Sequence, residues 1–379
     1  MNAMRILVVT GNPYLASTTR PLDAALGVLS RQEVIPHFLF LRPGPWQQEL
    51  VARGETVVVR SLSWPSKNNL MSSSLTISWL VAYLIRNRID LIHCNEHEHY
   101  PAVRHAAHLA RRPTLVTLHY NLEGSFGRWA FAAPYSPGVL QFLSRRQYEL
   151  SKSDVPRYLE SRTYVTGSGL SVSKLRSSAT GRNLRKELGI DDNTVVLGTA
   201  GAIRPRKRLE DFVQLVAKLR QQNLPVVGLI AGGGKSLEKP YKESLDALVE
   251  KLNLRNFCRF IGFIYPCTDF YKALDIYVHT SSMEIFCMAM CEAQAMGVPC
   301  LAYDVGGNRE AVPDESCLVP LGVVEALARK VAMLVRDTEL RRTRGTLAAR
   351  FVEEQLDAPV YASKVRKLYS LLREGKLVT

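Results

Sequence analysis

Short runs of β-branched and aliphatic residues, each followed by a segment of helical length, recur along the whole of this 379-residue chain. In its first part they are 5–10, 35–41, 56–59, 90–93, 114–118 and 163–165. Continuous apolar strands alternating with helices suit a parallel sheet covered on both faces, because successive side chains point to opposite faces and both must be buried. The pattern predicts a Rossmann-like, doubly wound α/β domain over 1–172. A Ser-rich stretch at 171–181 has little apolar periodicity and reads as a linker. A second series then runs through 194–199, 226–230, 258–262, 276–279, 299–302 and 317–319, predicting a second such domain over 173–358 with a cleft between the two. In 359–374, Val360, Val365, Leu368 and Leu372 fall near one helical face. The segment 359–379 is expected to pack back toward the first domain.

The chain carries 49 Lys and Arg against 35 Asp and Glu, a net charge of +14. Such an excess points to anionic partners: nucleic acid, an acidic membrane or a phosphorylated small molecule. Residues 1–170 hold 18 basic and 11 acidic residues, so the excess reads as evenly split, +7 before residue 171 and +7 after it. Dispersed charge with no recognisable nucleic-acid module argues against nucleic acid. The seven cysteines are odd in number, lack a Cys-x-x-Cys pair and lie mostly in apolar stretches, which reads as reduced core thiols of a cytoplasmic protein. No leader-like segment opens the chain, and its longest apolar stretch, near 77–85, falls short of the roughly 20 residues that span a bilayer.

In open α/β sheets, ligands bind beyond the carboxyl ends of the strands, so the residues that follow each apolar run are the candidates. After 276–279 come Glu284 and then, on a helix expected over 286–296, Glu292. The start of that helix, near Cys287, Met288 and Ala289, offers free amides and a positive dipole end to an anion. A carboxylate beside such a terminus suits a nucleotide, the acid taking ribose hydroxyls and the amides phosphate. The competing reading is a helix-start charge and a solvated face. After 194–199, Arg204, Arg206, Lys207 and Arg208 cluster where they can neutralise a pyrophosphate. After 299–302, Gly306 and Gly307 stand where close backbone approach to a ligand is expected, with Glu310 opening the next helix.

Four blocks occur together: Glu284 and Glu292 separated by seven residues, the Ala-x-Ala-x-Gly-x-Pro of 293–299, the Asp-x-Gly-Gly-x-x-Glu of 304–310, and Phe-Ile-Gly-Phe at 260–263. In this order and spacing the chain resembles the retaining GT-B glycosyltransferases of family 4, the glycosyl transferases group 1, over essentially its whole length. The resemblance implies a metal-independent transfer of sugar from a nucleotide diphosphate sugar, with no cofactor beyond that substrate. It implies that Glu292 holds the donor ribose and Glu284 faces the donor sugar. The amides of Met288 and Ala289 would take the distal phosphate, Lys207 the pyrophosphate, and the Ile264 main chain the base. His119, after the run at 114–118, would reach the donor sugar or the acceptor, whereas His93, His97 and His99 read as structural or solvated.

Three positions depart from the family pattern: Leu15-Ala16-Ser17 replaces a glycine pair, Ala202 or Gly201 stands in place of an arginine, and Cys287 follows Phe286 where glycine is usual. Arg204 or Arg206 are the replacements for the missing arginine. The aromatic and basic segment 126–131, with Arg145 and Arg146 beyond it, suggests contact with an anionic membrane surface, hence a lipid-linked or glycan acceptor and a place on the inner face of the membrane. The rival readings are a GT-B sugar-nucleotide epimerase and a non-catalytic nucleotide-sugar binding protein.

Overall fold

The structure, a computed structural model, describes residues 3–66, 68–233 and 238–375. The chain forms two compact units, Met1–Leu170 with Ala358–Thr379, and Ser171–Asp357.

The first unit is built on seven parallel strands: β1 Met4–Thr10, β2 Val34–Phe40, β3 Thr56–Val59, β4 Leu91–Cys94, β5 Thr114–Leu118, β6 Val139–Phe142 and β7 Thr163–Val165. Their order is β3-β2-β1-β4-β5-β6-β7. Register sets Val9 beside Leu39 on one side and Cys94 on the other, and both faces of β1 are buried, which is why its sequence is an unbroken apolar run. Sequence periodicity misses β6 because Gln141 interrupts it. That side chain is fully buried and pairs with side chains: Thr117 Oγ1 donates to its Oε1 at 2.8 Å, and its Nε2 donates to Thr166 Oγ1 at 2.8 Å and to the Tyr361 hydroxyl at 3.1 Å.

The helix Ala358–Arg373 packs against helix Arg20–Val28 and the sheet of this unit through Tyr361, Ala362, Val365, Leu368, Tyr369 and Leu372. Val360, expected on that face, is only half-buried. Polar bonds fasten the helix as well. Tyr369 OH donates to His93 Nδ1 at 2.7 Å, and His93 Nε2 donates to Thr117 Oγ1 at 2.8 Å. Burial, with a smaller contribution from His119, pushes the His93 pKa down to about 3, so the ring stays neutral. Tyr369→Phe leaves Nδ1 buried without a donor, and we expect a loss of about 1–3 kcal/mol of stability. Urea unfolding followed by a unit 1 probe checks this; an unchanged midpoint would rule it out.

Joining this helix to the first unit redistributes the charge. Residues 358–379 add five basic and one acidic residue, so the first unit carries +11 and the second +3. The even split read along the chain does not survive folding.

The second unit has six parallel strands: β8 Val195–Ala200, β9 Val226–Ala231, β10 Cys258–Gly262, β11 Ile276–His279, β12 Cys300–Tyr303 and β13 Leu318–Val319, in the order β10-β9-β8-β11-β12-β13. Its core combines these strands with helices Leu209–Gln221 and Val324–Arg336. The expected linker instead begins with a helix, Val172–Ser177, capped by the Ser171 side chain, whose oxygen accepts from the Lys174 amide at 3.3 Å. Serine favours a cap as readily as a loop, which hid the helix. Arg176 then donates to the Ala295 carbonyl at 2.9 Å and holds the segment to the second unit. Among the described residues, no helix is long and apolar enough to cross a membrane.

Candidate functional site

In the second unit the strand order reverses between β8 and β11, and the crevice beyond their carboxyl ends is where such sheets bind ligands. The segment after β8 supplies Lys207, at the end of the short helical turn Pro205–Lys207, and the segment after β11 supplies Glu284. Lys207 Nζ and Glu284 Oε1 form an ion pair, with both side chains nearly buried. Arg206 Nη1 lies 3.8 Å from the same oxygen and donates to the Met283 carbonyl at 3.4 Å.

The two segments are laced together by their backbones. Ser282 N donates to the Arg206 carbonyl at 2.8 Å, and Thr280 Oγ1 donates to the Lys207 carbonyl at 2.9 Å. A third segment, after β12, holds Glu284 from the other side: Gly307 N donates to the Glu284 carbonyl at 3.0 Å. Gly306 lies at φ +49, and a Cβ there would sit 1.7 Å from that carbonyl oxygen. The close approach expected between this glycine pair and a ligand is an approach to Glu284 itself. Glu310 lies near the end of the short helical segment Gly306–Ala311 and does not open a new helix; a further short turn, Glu315–Cys317, and β13 come before the next α-helix at Val324.

Burial by itself would raise the Glu284 carboxyl, but the Lys207 ammonium and the His279 hydrogen bond outweigh it and hold the group well below the usual carboxylate range. His279 closes β11 and donates from Nε2 to Glu284 Oε1 at 3.0 Å. Burial lowers its pKa, so the ring is neutral, and its Nδ1 has no partner among the described residues. The sequence reading missed this residue. The available signal was position: seven of the eight histidines precede residue 120, and the eighth ends a strand just before the Glu284 block.

Ligand atoms of His279, Glu284 and Cys287 lie within 4.8 Å of one another, close enough to share a cation. Lys207 and His279 both meet Oε1 of the carboxylate, and burial pushes the Cys287 thiol up to about 12, so the thiol stays protonated and the arrangement is that of an ion pair.

The helix after Glu284 spans Met288–Ala295 with Cys287 at its N-cap, shorter than the 286–296 expected. Met288 N donates to the Phe286 carbonyl at 3.1 Å, so the two amides assigned to phosphate are not equally open, and Ala289 is the better placed. Glu292 is buried within this helix and accepts from the Tyr271 hydroxyl at 2.8 Å, which excludes a solvated face. Beyond β10, Ile264 is half-buried between Phe263 and Tyr265, both more than 70 % exposed. The basic cluster after β8 does not act as one. Arg204 reaches toward Glu238 at 3.6 Å and Arg208 forks onto Asp211 at 2.8 and 3.1 Å, leaving Lys207 and Arg206 at Glu284.

In the first unit, His119 follows β5 and is buried, its ring bonded to the Asn95 main chain while Nε2 has no partner among the described residues. Burial, with His97 adding, pushes its pKa down to about 3. In the aromatic segment 126–131, Phe131 belongs to the core, while Trp129 is half-exposed under the Arg104 guanidinium, 4.7 Å from the ring centroid. Ala16, at the departure after β1, accepts from Thr19 N and Arg20 N and starts the turn into helix Arg20–Val28.

Residues 181–350 match the family model described as glycosyl transferases group 1. The chain is 29% identical over 196 residues to N-acetyl-alpha-D-glucosaminyl L-malate synthase of Bacillus anthracis, covering 51% of this chain and 50% of that protein. It is 34% identical over 169 residues to D-inositol 3-phosphate glycosyltransferase of Saccharomonospora viridis, covering 41% of this chain and 38% of the relative. It thus spans about half or less of these curated relatives. Among solved structures, Anabaena Alr3699/HepE in complex with UDP superposes with a TM-score of 0.82 at 20% identity, over 97% of this chain and all of that one. A glycosyltransferase from Rickettsia africae ESF-5 gives 0.83 at 18% identity, over 98% and 99%. The fold is GT-B, built from two Rossmann-like parallel-sheet domains.

Proposed function

Residues 181–350 match the glycosyl transferases group 1 family, and from that premise we propose that the chain is a retaining, metal-independent family 4 glycosyltransferase. It moves a sugar from a nucleoside diphosphate sugar to a glycan or lipid-linked acceptor. The observation that carries this reading is the Lys207–Glu284–His279 cluster at the β8/β11 crevice, beside the start of helix Met288–Ala295. The UDP and UDP-glucose complexes of Alr3699/HepE lend it support.

In this reading the leaving group is a nucleoside diphosphate, so catalysis consists of stabilising negative charge as it builds on phosphate oxygens. Lys207 turns from Glu284 to the pyrophosphate, Arg206 supplies the second cation that Ala202 lacks, and the Ala289 amide caps the distal phosphate. Arg204, drawn toward Glu238, contributes long-range charge only. Glu292, oriented by Tyr271, takes the ribose hydroxyls, and the Ile264 main chain meets the base between its exposed aromatic neighbours. Glu284, held ionised, stabilises positive character on the donor sugar, and the departing phosphate accepts the acceptor's proton.

The same reading puts the protein in the cytoplasm, on the inner face of the membrane. Seven free cysteines suit a reducing compartment. In the first unit, helix Leu70–Arg86 has no charged residue before Arg86 and exposes Met71, Leu75 and Ile85, which with a +11 unit suits an anionic surface.

A thermal-shift panel of nucleoside diphosphates and their sugars tests the donor site. One base series should stabilise the protein, by about 2.7 kcal/mol at 100-fold its dissociation constant. Failure of every nucleotide to shift the transition would sink the reading.

A further inference from the structure

The second unit has a hollow at the end of its sheet opposite the β8/β11 crevice, and no residue of the mechanism above lies there. A cavity of about 160 Å³ opens at the amino ends of β12 and β13, between them and the helices Val324–Arg336 and Thr338–Gln355. Its wall is mostly apolar: Leu301, Leu334 and Ala348 line it and are buried, and Met333, largely exposed, lines its mouth. The helix Thr338–Gln355 is kept from closing this space. Gly345 lies against the Gly297 carbonyl so tightly that a Cβ there would sit 2.1 Å from that oxygen, which fixes the helix in place. One turn further on, Ala348 puts only a methyl group where a larger side chain would reach in.

The rim of this apolar space is cationic, since Lys330 and Arg344 both line it. Lys330 Nζ donates to the Ser316 carbonyl at 2.5 Å and to the Leu318 carbonyl at 2.9 Å, and an ammonium has a third hydrogen to give. Arg344 Nη1 donates to Asp314 Oδ2 at 3.0 Å, which uses one of the five N–H donors of a guanidinium. The field of these groups reaches the Cys317 thiol in the cavity wall. Burial raises its pKa, Asp314 adds to the rise, and Arg344 and Lys330 oppose it. Two cations thus stand against one carboxylate, leaving a positive charge in excess beside an apolar pocket.

We propose that this cavity binds a small carboxylic acid with an apolar body the size of a benzene ring, the body filling the space between β12 and the two helices and the carboxylate accepting from Lys330 Nζ and Arg344. Size and charge carry the inference. An apolar cavity of about 150 Å³ takes one benzene molecule. Apolar space on that scale is costly to leave unfilled, because the atoms lining it forfeit dispersion contacts. A carboxylate complements the excess positive charge at the rim, and charge-assisted bonds are stronger than those a neutral acceptor makes. A nucleotide is too large for the space, and a sugar would bring hydroxyls to a wall that offers them few partners. The site stands at the far end of the sheet from the donor crevice and does not rest on the transferase reading.

The test uses the full chain with isotopically labelled methionine methyl groups and follows the Met333 signal by NMR, assigned from Met333→Leu, through titrations with benzoate, cyclohexanecarboxylate, benzamide, benzylamine and acetate. Benzoate or cyclohexanecarboxylate should shift that signal saturably. Benzamide, benzylamine and acetate, each lacking either the negative charge or the apolar body, should bind at least about 10-fold more weakly. Lys330→Met should weaken benzoate about 10-fold or more, as loss of a bond between charged groups implies. Ala348→Leu fills part of the cavity from the helix side, so it should unfold in urea at an equal or higher midpoint and bind no benzoate. A Met333 signal unmoved by both acids, any of the other three compounds binding as tightly as benzoate, or full benzoate affinity in either variant would each overturn the proposal. Lys330→Met decides the matter if Ala348→Leu does not fold, and the remaining methionine signals report whether each variant is folded.

Discussion

Gly306→Ala should destabilise the second unit by about 3 kcal/mol or more and lower sugar transfer by about 100-fold. The new Cβ would lie 1.7 Å from the Glu284 carbonyl oxygen, a distance no packing tolerates, and that neighbour is rigid backbone and not a flexible side-chain end. Either the segment after β12 or the one carrying Glu284 must shift, and displacements of about 1 Å at a reacting centre cost about two orders of magnitude in rate. Gly297→Ala is the control. Gly297 also has positive φ, +80, but its Cβ would meet nothing within 4 Å, so only about 1 kcal/mol of backbone strain is expected. Equal effects of the two substitutions, in urea unfolding and in transfer rate, would show that left-handed backbone and not contact with Glu284 explains the glycine.

Lys207→Ala should act on both stability and chemistry. Removing one partner of a largely buried ion pair costs about 3–5 kcal/mol, because the remaining carboxylate keeps its desolvation penalty. Arg206, 3.8 Å away and half-exposed, offsets part of this, so the lower end is expected. Transfer should fall by about 10²–10³, the effect of deleting one preorganised donor to developing negative charge.

The pH dependence identifies the cause. With Lys207 present, the folded-state pKa of Glu284 lies below its unfolded value, so the pair's contribution is present above about pH 4.5 and is lost as pH falls through the folded value. Without Lys207 the largest influence holding the carboxyl down is gone and the folded value rises, so less of that contribution is gained as pH rises. The stability gap between the two proteins should therefore widen from pH 4 to pH 7, and a constant gap would refute the ion-pair account. Adding Glu284→Gln to Lys207→Ala should restore part of the stability and none of the transfer.

The alternation of apolar runs was enough to place, within about a residue, twelve of the thirteen strands among the described residues. The exception, β6, buries a glutamine whose hydrogen-bond partners come from Thr117, Thr166 and Tyr361, far apart in the chain. Lys207 and Glu284 were legible because each comes shortly after an apolar run, and Glu292 because seven residues separate it from Glu284 in the same block. The partner of Glu292 was not, because no spacing reveals that the Tyr271 hydroxyl, 21 residues earlier, reaches that carboxylate.

The net charge and the strand-following positions of the candidate residues belong to the sequence by itself, since both are properties of composition and local period. The tertiary structure decided how the charge is shared, because the last helix, expected from its apolar face to pack back toward the first domain, joins the first unit and turns an even split into +11 and +3. It also decided that the glycine pair serves Glu284 and that, of four clustered basic residues, Lys207 and Arg206 meet that carboxylate. The physical reason is common to all three. A side chain's partners are set by which strands lie side by side, and in a parallel sheet neighbours are joined by crossovers long enough to separate them widely in sequence.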